Sequence, residues 1–346
     1  MPASWISYLG LPGRRGFIEG IMPTELNDGA PRKEPLDDAM RLVAPDLRPA
    51  LDLLPDLGAL SNETLADVRQ SLAPRPMPES SSGLHVEDIL IASRDDGEVR
   101  GLLYVPDEPS GAALVYLHGG GFVSGSAQRD DAITRRLASE FGLVLLSVNY
   151  RLAPEHPYPA ALDDAFDALV WLHDHARSLG VDAARIGVRG NSAGGGLAAS
   201  LALRARDAGG PSIRWLGLVY PMLDDRTEAH PHAGRHVWTA QANAWAWRAY
   251  LGEAARAAPA VPARVETLEG FPPTWIGIGD IDLFSEESLT FASRLIRAGV
   301  PTDLCLYAGA FHGFFLIPSA DASRRFEHDF TQAMIRGLAL NPETPS

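Results

Sequence analysis

The chain has 346 residues, 46% of them hydrophobic and 21% charged, enough apolar side chain for the core of one large α/β unit, with or without a lid. With 30 basic against 44 acidic residues the net charge is −14 and no basic stripe stands out, so nucleic acid is disfavoured as a partner. No apolar run reaches transmembrane length; the lone cysteine, Cys305, excludes internal disulfides and cysteine-cluster metal sites, and the lone lysine, Lys33, excludes GK[ST] phosphate loops and S-x-x-K nucleophiles.

Residues 1–85 are broken in pattern. Helical periodicity over 36–43 and 63–72 is interrupted by Pro45, Pro49 and Pro55, and Pro74, Pro76, Pro78 and the serines at 80–82 read as a linker. This segment is expected to be a helical flap that needs a body to lie on. The opening MPASWISYLGLPGRRGF lacks basic residues ahead of an apolar core and lacks an A-x-A site, so it does not read as a signal peptide, and a cytoplasmic protein with no stable membrane anchor is expected.

From residue 86 the pattern becomes regular. Strands are predicted at 86–93, 101–105, 112–117, 143–148, 185–188, 213–220, 274–278 and 303–307. Helices are predicted at 130–141, 160–179, 193–208, 286–298 and 320–337. Short apolar strands alternating with helices specify a mostly parallel sheet of eight strands covered on both faces, its leading pair antiparallel. Residues 86–221 and 266–346 would form this core. The stretch 222–265 breaks the alternation and carries Trp238, Trp245, Trp247 and Tyr250 on a helical pattern. An insertion at the C-terminal end of a strand lies over the crevice where open α/β sheets bind ligands, so this stretch is expected to be a cap. Trp245 and Trp247, two apart, face different ways, one packing down and the other toward a pocket.

Gly190-Asn191-Ser192-Ala193-Gly194 is a G-x-S-x-G between a predicted strand and a predicted helix. A nucleophile on so sharp a turn needs neighbours without bulk two residues to either side. His118-Gly119-Gly120-Gly121 follows the third strand, where glycines let backbone N–H groups approach an oxyanion; the residue after the serine, Ala193, supplies another donor. A serine needs a base, and the base an orienting carboxylate. His312 follows the last core strand, whereas His328 lies within a helical pattern and reads as a surface residue. Asp280 and Asp282, after the seventh strand, both qualify as the acid, and either also reads as a helix cap.

HGGGF (118–122), YRLAPEHPYPAALDD (150–164), G-x-SAGG (190–195), D-L-x-x-E-E (282–287) and HGF (312–314) occur in this order. On these motifs the chain resembles the bacterial hormone-sensitive-lipase-like carboxylesterases of the α/β-hydrolase superfamily, over about residues 86–338. The resemblance implies Ser192, Asp282 and His312 as the catalytic triad, with Asp282 preferred to Asp280, and Gly120, Gly121 and Ala193 as the oxyanion hole. It implies hydrolysis of short- to medium-chain acyl esters without a cofactor or metal, and a homodimer joined through the last strand and helix. A lactonase, amidase or acyltransferase would use the same triad. A receptor built on this scaffold is disfavoured by the presence of His312. Two departures stand out. Asn191 occupies a position where the family carries Asp, and the loop after Asp282 lacks a proline. Phe122, Trp238, Trp245 and Phe284 are expected to line the substrate pocket. His230, His232 and His236, near Asp224 and Asp225, have spacing compatible with zinc but read more simply as a polar lid loop.

Overall fold

The computed structural model describes residues 38–340 apart from 55, 56, 59, 74–81, 96 and 229; the part of the expected flap before residue 38 lies outside the described residues. Eight strands, β1 (Leu84–Ala92), β2 (Glu98–Pro106), β3 (Ala113–Leu117), β4 (Val144–Asn149), β5 (Ile186–Asn191), β6 (Leu216–Val219), β7 (Thr274–Gly279) and β8 (Thr302–Tyr307), form one sheet in the order β1-β2-β4-β3-β5-β6-β7-β8. β1 pairs with β2 and β2 with β4 antiparallel, and every other pairing is parallel. The central strands are continuous apolar runs because both faces are covered: all five residues of β3 are buried, as are all of β5, β6 and β7.

The helices α1 (Asp38–Leu42), α2 (Leu65–Ser71), α3 (Asp131–Phe141), α4 (Ala160–His175), α5 (Ala193–Asp207), α6 (Ala240–Leu251), α7 (Ser285–Arg297) and α8 (Asp321–Gly337) follow the predicted pattern with small shifts at their ends. α4 stops at His175, four residues before its predicted end, and β6 is the short core of its predicted span. β5 runs three residues further than its apolar pattern. Gly190 and Asn191 are poor strand formers, but parallel neighbours hold them: Gly190 pairs with Leu117 and Leu218, and Asn191 with Val219. That extension carries the sheet directly into Ser192.

Two segments lie against the strand ends. In the first, Val43, Leu47, Leu60, Leu65, Val68 and Leu72 are buried in the common core. Arg69 on α2 donates to the carbonyls of Val123 (2.7 Å) and Ala153 (3.0 Å) and makes a two-pronged ion pair with Glu155. That pair holds the Glu155 carboxyl down to about 2. In the second, Thr239 caps α6 by accepting from Ala242 N–H. Trp247 and Tyr250 of α6 are fully buried and pack on Phe122, which stacks on Tyr250 at 3.9 Å. No helix among the described residues is long and apolar enough to cross a membrane.

Candidate active site

Ser192 stands between β5 and α5 with φ 55 and ψ −120, a conformation non-glycine residues avoid, and the tight packing around it shows why its neighbours are small. A Cβ on Gly190 would sit 2.0 Å from the carbonyl of Gly194, and one on Gly194 would sit 2.1 Å from the carbonyl of Leu117. Strand and helix touch here, and no side chain fits between them.

Three distant segments meet at this turn. His312, five residues beyond β8, places Nε2 2.9 Å from Ser192 Oγ, and its Nδ1 donates to Asp282 Oδ2 at 2.8 Å. Asp282 lies three residues beyond β7; its Oδ1 accepts the Phe284 N–H at 3.0 Å, so both carboxylate oxygens are occupied. Ser192, Asp282 and His312 are all buried. The His312 ring is held edge-on by Phe284 at 5.3 Å and flanked by Tyr220 at 4.5 Å. Asp280 is turned elsewhere, accepting the Gly309 N–H at 2.7 Å, and His328 is exposed on α8.

The loop after β3 is shaped by its carbonyls. His118 Nδ1 donates to the Gly119 carbonyl at 2.9 Å, and the N–H groups of Val123 and Ser124 with the Ser124 hydroxyl converge on the Gly120 carbonyl. In a trans peptide the N–H points opposite its C=O, so these bonds fix the directions of the Gly120 and Gly121 N–H groups. Among the described residues neither amide has a partner, and the Ala193 N–H opens α5, where no intrahelical acceptor exists. Gly120 at φ 127 and Gly121 at φ 63 are backbone shapes that glycine alone takes without strain. His118 is buried, stacked on Tyr150 at 4.1 Å, and burial lowers its basicity; its role is to hold the turn. Tyr150 in turn donates to the His118 carbonyl at 2.8 Å.

A cavity of about 400 Å³ opens over these groups, lined by Gly119–Gly121, Ser192, His312, Tyr220 and Trp238, and roofed in part by Leu54, Leu57 and Leu72 of the first segment. Of the four side chains expected to line it, only Trp238 does. Phe122, at φ 65, is turned under the loop onto α6. Phe284 is fully buried against the edge of His312, and Trp245 is half-buried against the core while Trp247 packs inward. Sequence pattern does not reveal Tyr220 or the leucines: Tyr220 ends a strand segment that reads as plain core, and the leucines come from a chain segment far away in sequence. The rings of His230 and His232 meet in a T-shaped arrangement at 5.8 Å while His236 packs on Phe311. Among the described residues no three His, Cys, Asp or Glu side chains converge as metal ligands would.

A model of the alpha/beta hydrolase fold matches residues 114–316, more than half of the chain. The chain belongs to the α/β-hydrolase fold family. Within that family it is similar to the esterase LipI of Mycobacterium tuberculosis, 34% identical over 87% of this chain and 95% of LipI. It is 33% identical to an ethyl acetate hydrolase of Pseudomonas putida, over 68% of this chain and 77% of that protein. Among solved structures, a bacterial heroin esterase superposes with a TM-score of 0.78 at 34% identity, covering 86% of this chain and 99% of its own. The family match and the mycobacterial esterases support the expected branch, the hormone-sensitive-lipase-like carboxylesterases.

Proposed function

We propose that this α/β hydrolase is a serine carboxylesterase acting on short- to medium-chain acyl esters, with Ser192 as nucleophile, His312 as general base and acid, and Asp282 as the orienting carboxylate. The observation that carries this reading is the continuous hydrogen-bond relay from Asp282 through His312 to Ser192, buried beside amides with no other partner. Asp282 keeps the proton on Nδ1, so Nε2 offers its lone pair to the Ser192 hydroxyl. Ser192 Oγ attacks the ester carbonyl as His312 takes its proton. The oxyanion is received by the N–H groups of Gly120, Gly121 and Ala193, each worth about 3 kcal/mol of barrier. His312 then protonates the departing alcohol, and a water deprotonated by the same ring releases the acid.

The names of the relatives, an esterase, an ethyl acetate hydrolase and a heroin esterase, support a small carboxylic ester as substrate. The cavity supports it too: about 400 Å³, walled in part by leucines, accommodates a small ester. Segments 38–72 and 222–265 act as the cap, since Leu54, Leu57, Leu72 and Trp238 complete the walls. A second copy is the proposed partner of the β8 edge, where Leu304 and Leu306 are exposed.

The test is Ser192→Ala assayed on p-nitrophenyl acetate and butyrate. Hydrolysis should fall to background while the melting temperature stays near that of the parent protein. Retention of most of the activity rejects the assignment.

A further inference from the structure

Beside the nucleophile runs a hydrogen-bond chain that the reaction steps above do not use, two of whose members, Asn191 and Asp130, also border the cavity. Asn191, the last residue of β5, is 5% exposed and donates from Nδ2 to the Tyr116 hydroxyl oxygen at 2.6 Å. Tyr116 donates its own proton to Asp130 Oδ2 at 2.8 Å. All three side chains are buried.

Their places in the chain matter more than the bonds themselves. Tyr116 lies on β3, two residues before His118, and Asp130 immediately precedes α3, where its carbonyl accepts the Thr134 N–H at 3.1 Å. The loop carrying Gly120 and Gly121 therefore begins beside Tyr116 and ends at Asp130. Both ends are tied through one phenol to the residue that precedes Ser192.

The polarity of the chain is fixed by proton count. A phenol has one proton, and the charged acceptor Asp130 takes it, so the phenol oxygen faces β5 as an acceptor. Only a side chain with an N–H or O–H at position 191 completes the chain. A carboxylate there would set acceptor against acceptor in a buried site with a second carboxylate one phenol away.

We propose that Asn191, Tyr116 and Asp130 form a positioning unit that holds the oxyanion loop in register with the nucleophile turn, with the single negative charge of the unit placed on Asp130. The proposal rests on the esterase reading with Ser192 as nucleophile. It assigns no contact with substrate to Asn191; the unit acts through the geometry of the Gly120 and Gly121 amides relative to Ser192 Oγ.

The experiment compares Asn191→Asp, Asp130→Asn and the double exchange, alone and in a Tyr116→Phe background. Each protein is titrated with a fluorophosphonate, so that rates on p-nitrophenyl acetate are expressed per reactive serine, and kcat and KM are measured separately. Asn191→Asp should lose kcat by about tenfold or more with KM little changed. Adding Asp130→Asn should restore most of it, because the carboxylate now at position 191 accepts the phenol proton while the amide at position 130 donates to the phenol oxygen. In the Tyr116→Phe background the exchange should restore nothing. If Asn191→Asp does not fold, Asp130→Asn alone should still lower kcat severalfold at constant KM. The proposal is overturned by a parental kcat in either single variant, or by a double exchange no better than the worse single. Failure of the esterase reading itself looks different: the parent protein would take up no fluorophosphonate at Ser192.

Discussion

Replacing Asp282 by Asn tests the relay at the point where geometry leaves least freedom. The two carboxylate oxygens have different partners, Oδ1 taking the Phe284 N–H at 3.0 Å and Oδ2 the His312 Nδ1–H at 2.8 Å. An amide offers one acceptor and one donor. Its oxygen stays on the Phe284 N–H, because turning it the other way would press an NH2 against a buried backbone donor at a cost of about 1–3 kcal/mol. The NH2 then faces Nδ1, the imidazole must present a lone pair there, and its proton moves to Nε2, pointing at Ser192 Oγ. The base is lost and the imidazolium loses its counter-charge. A wrong tautomer of this kind lowers kcat by about 10⁴, or about 5 kcal/mol of barrier. Asp280→Asn should change kcat less than about threefold, since an amide oxygen still accepts the Gly309 N–H. Steady-state kcat on p-nitrophenyl butyrate reads both variants. Asp282→Asn retaining more than a tenth of the rate, or Asp280→Asn falling further than Asp282→Asn, would refute this reasoning.

Two further outcomes follow from the packing. Gly121→Ala puts a Cβ 2.4 Å from the Trp238 ring on a backbone at φ 63, so the loop must shift and take its donor with it. kcat should fall by about 10²–10³; adding Trp238→Ala removes the clash but not the backbone strain, so recovery should stay partial in the same assay. Glu287 on α7 is fully buried, accepts the Leu223 N–H at 2.7 Å and bonds the Thr227 hydroxyl, and burial raises its pKa well above the carboxylate range. The folded form therefore keeps a proton that the unfolded form releases, and stability falls as pH rises past the ordinary range. Glu287→Gln mimics the protonated state, so its melting temperature should equal that of the parent near pH 4 and exceed it increasingly toward about pH 8. A gap that does not change with pH contradicts the protonated assignment.

The sheet was legible because β3, β4 and β7 are apolar runs that no amphipathic helix would contain, and because glycine and aspartate mark the loops between them. Ser192, His312 and the loop holding Asp280 and Asp282 were legible as candidates because each follows a strand at the same end of a parallel sheet, so chain order brings the loops together. The choice between Asp280 and Asp282 was not open to pattern; it needed the family motif, and geometry places Asp282 alone against His312. The cavity walls were harder to read. Phe122 is adjacent to the glycines in sequence, yet its positive φ turns the ring beneath the loop. Leu54, Leu57 and Leu72 reach the site only through long-range packing of a proline-broken segment, which carries no local signature. The partner of Asn191 was invisible for the same reason: Tyr116 is 75 residues away and looks like an ordinary core residue of β3.

The site of acylation tests the role of Ser192 directly. The protein is mixed with a p-nitrophenyl ester, quenched with acid during the burst, digested and mapped by mass spectrometry. The acyl mass should appear on the peptide containing Ser192 and nowhere else, with Asp282→Asn accumulating it far more slowly. An acyl group on another side chain, or turnover at the parental rate with Ser192 never modified, would contradict that role.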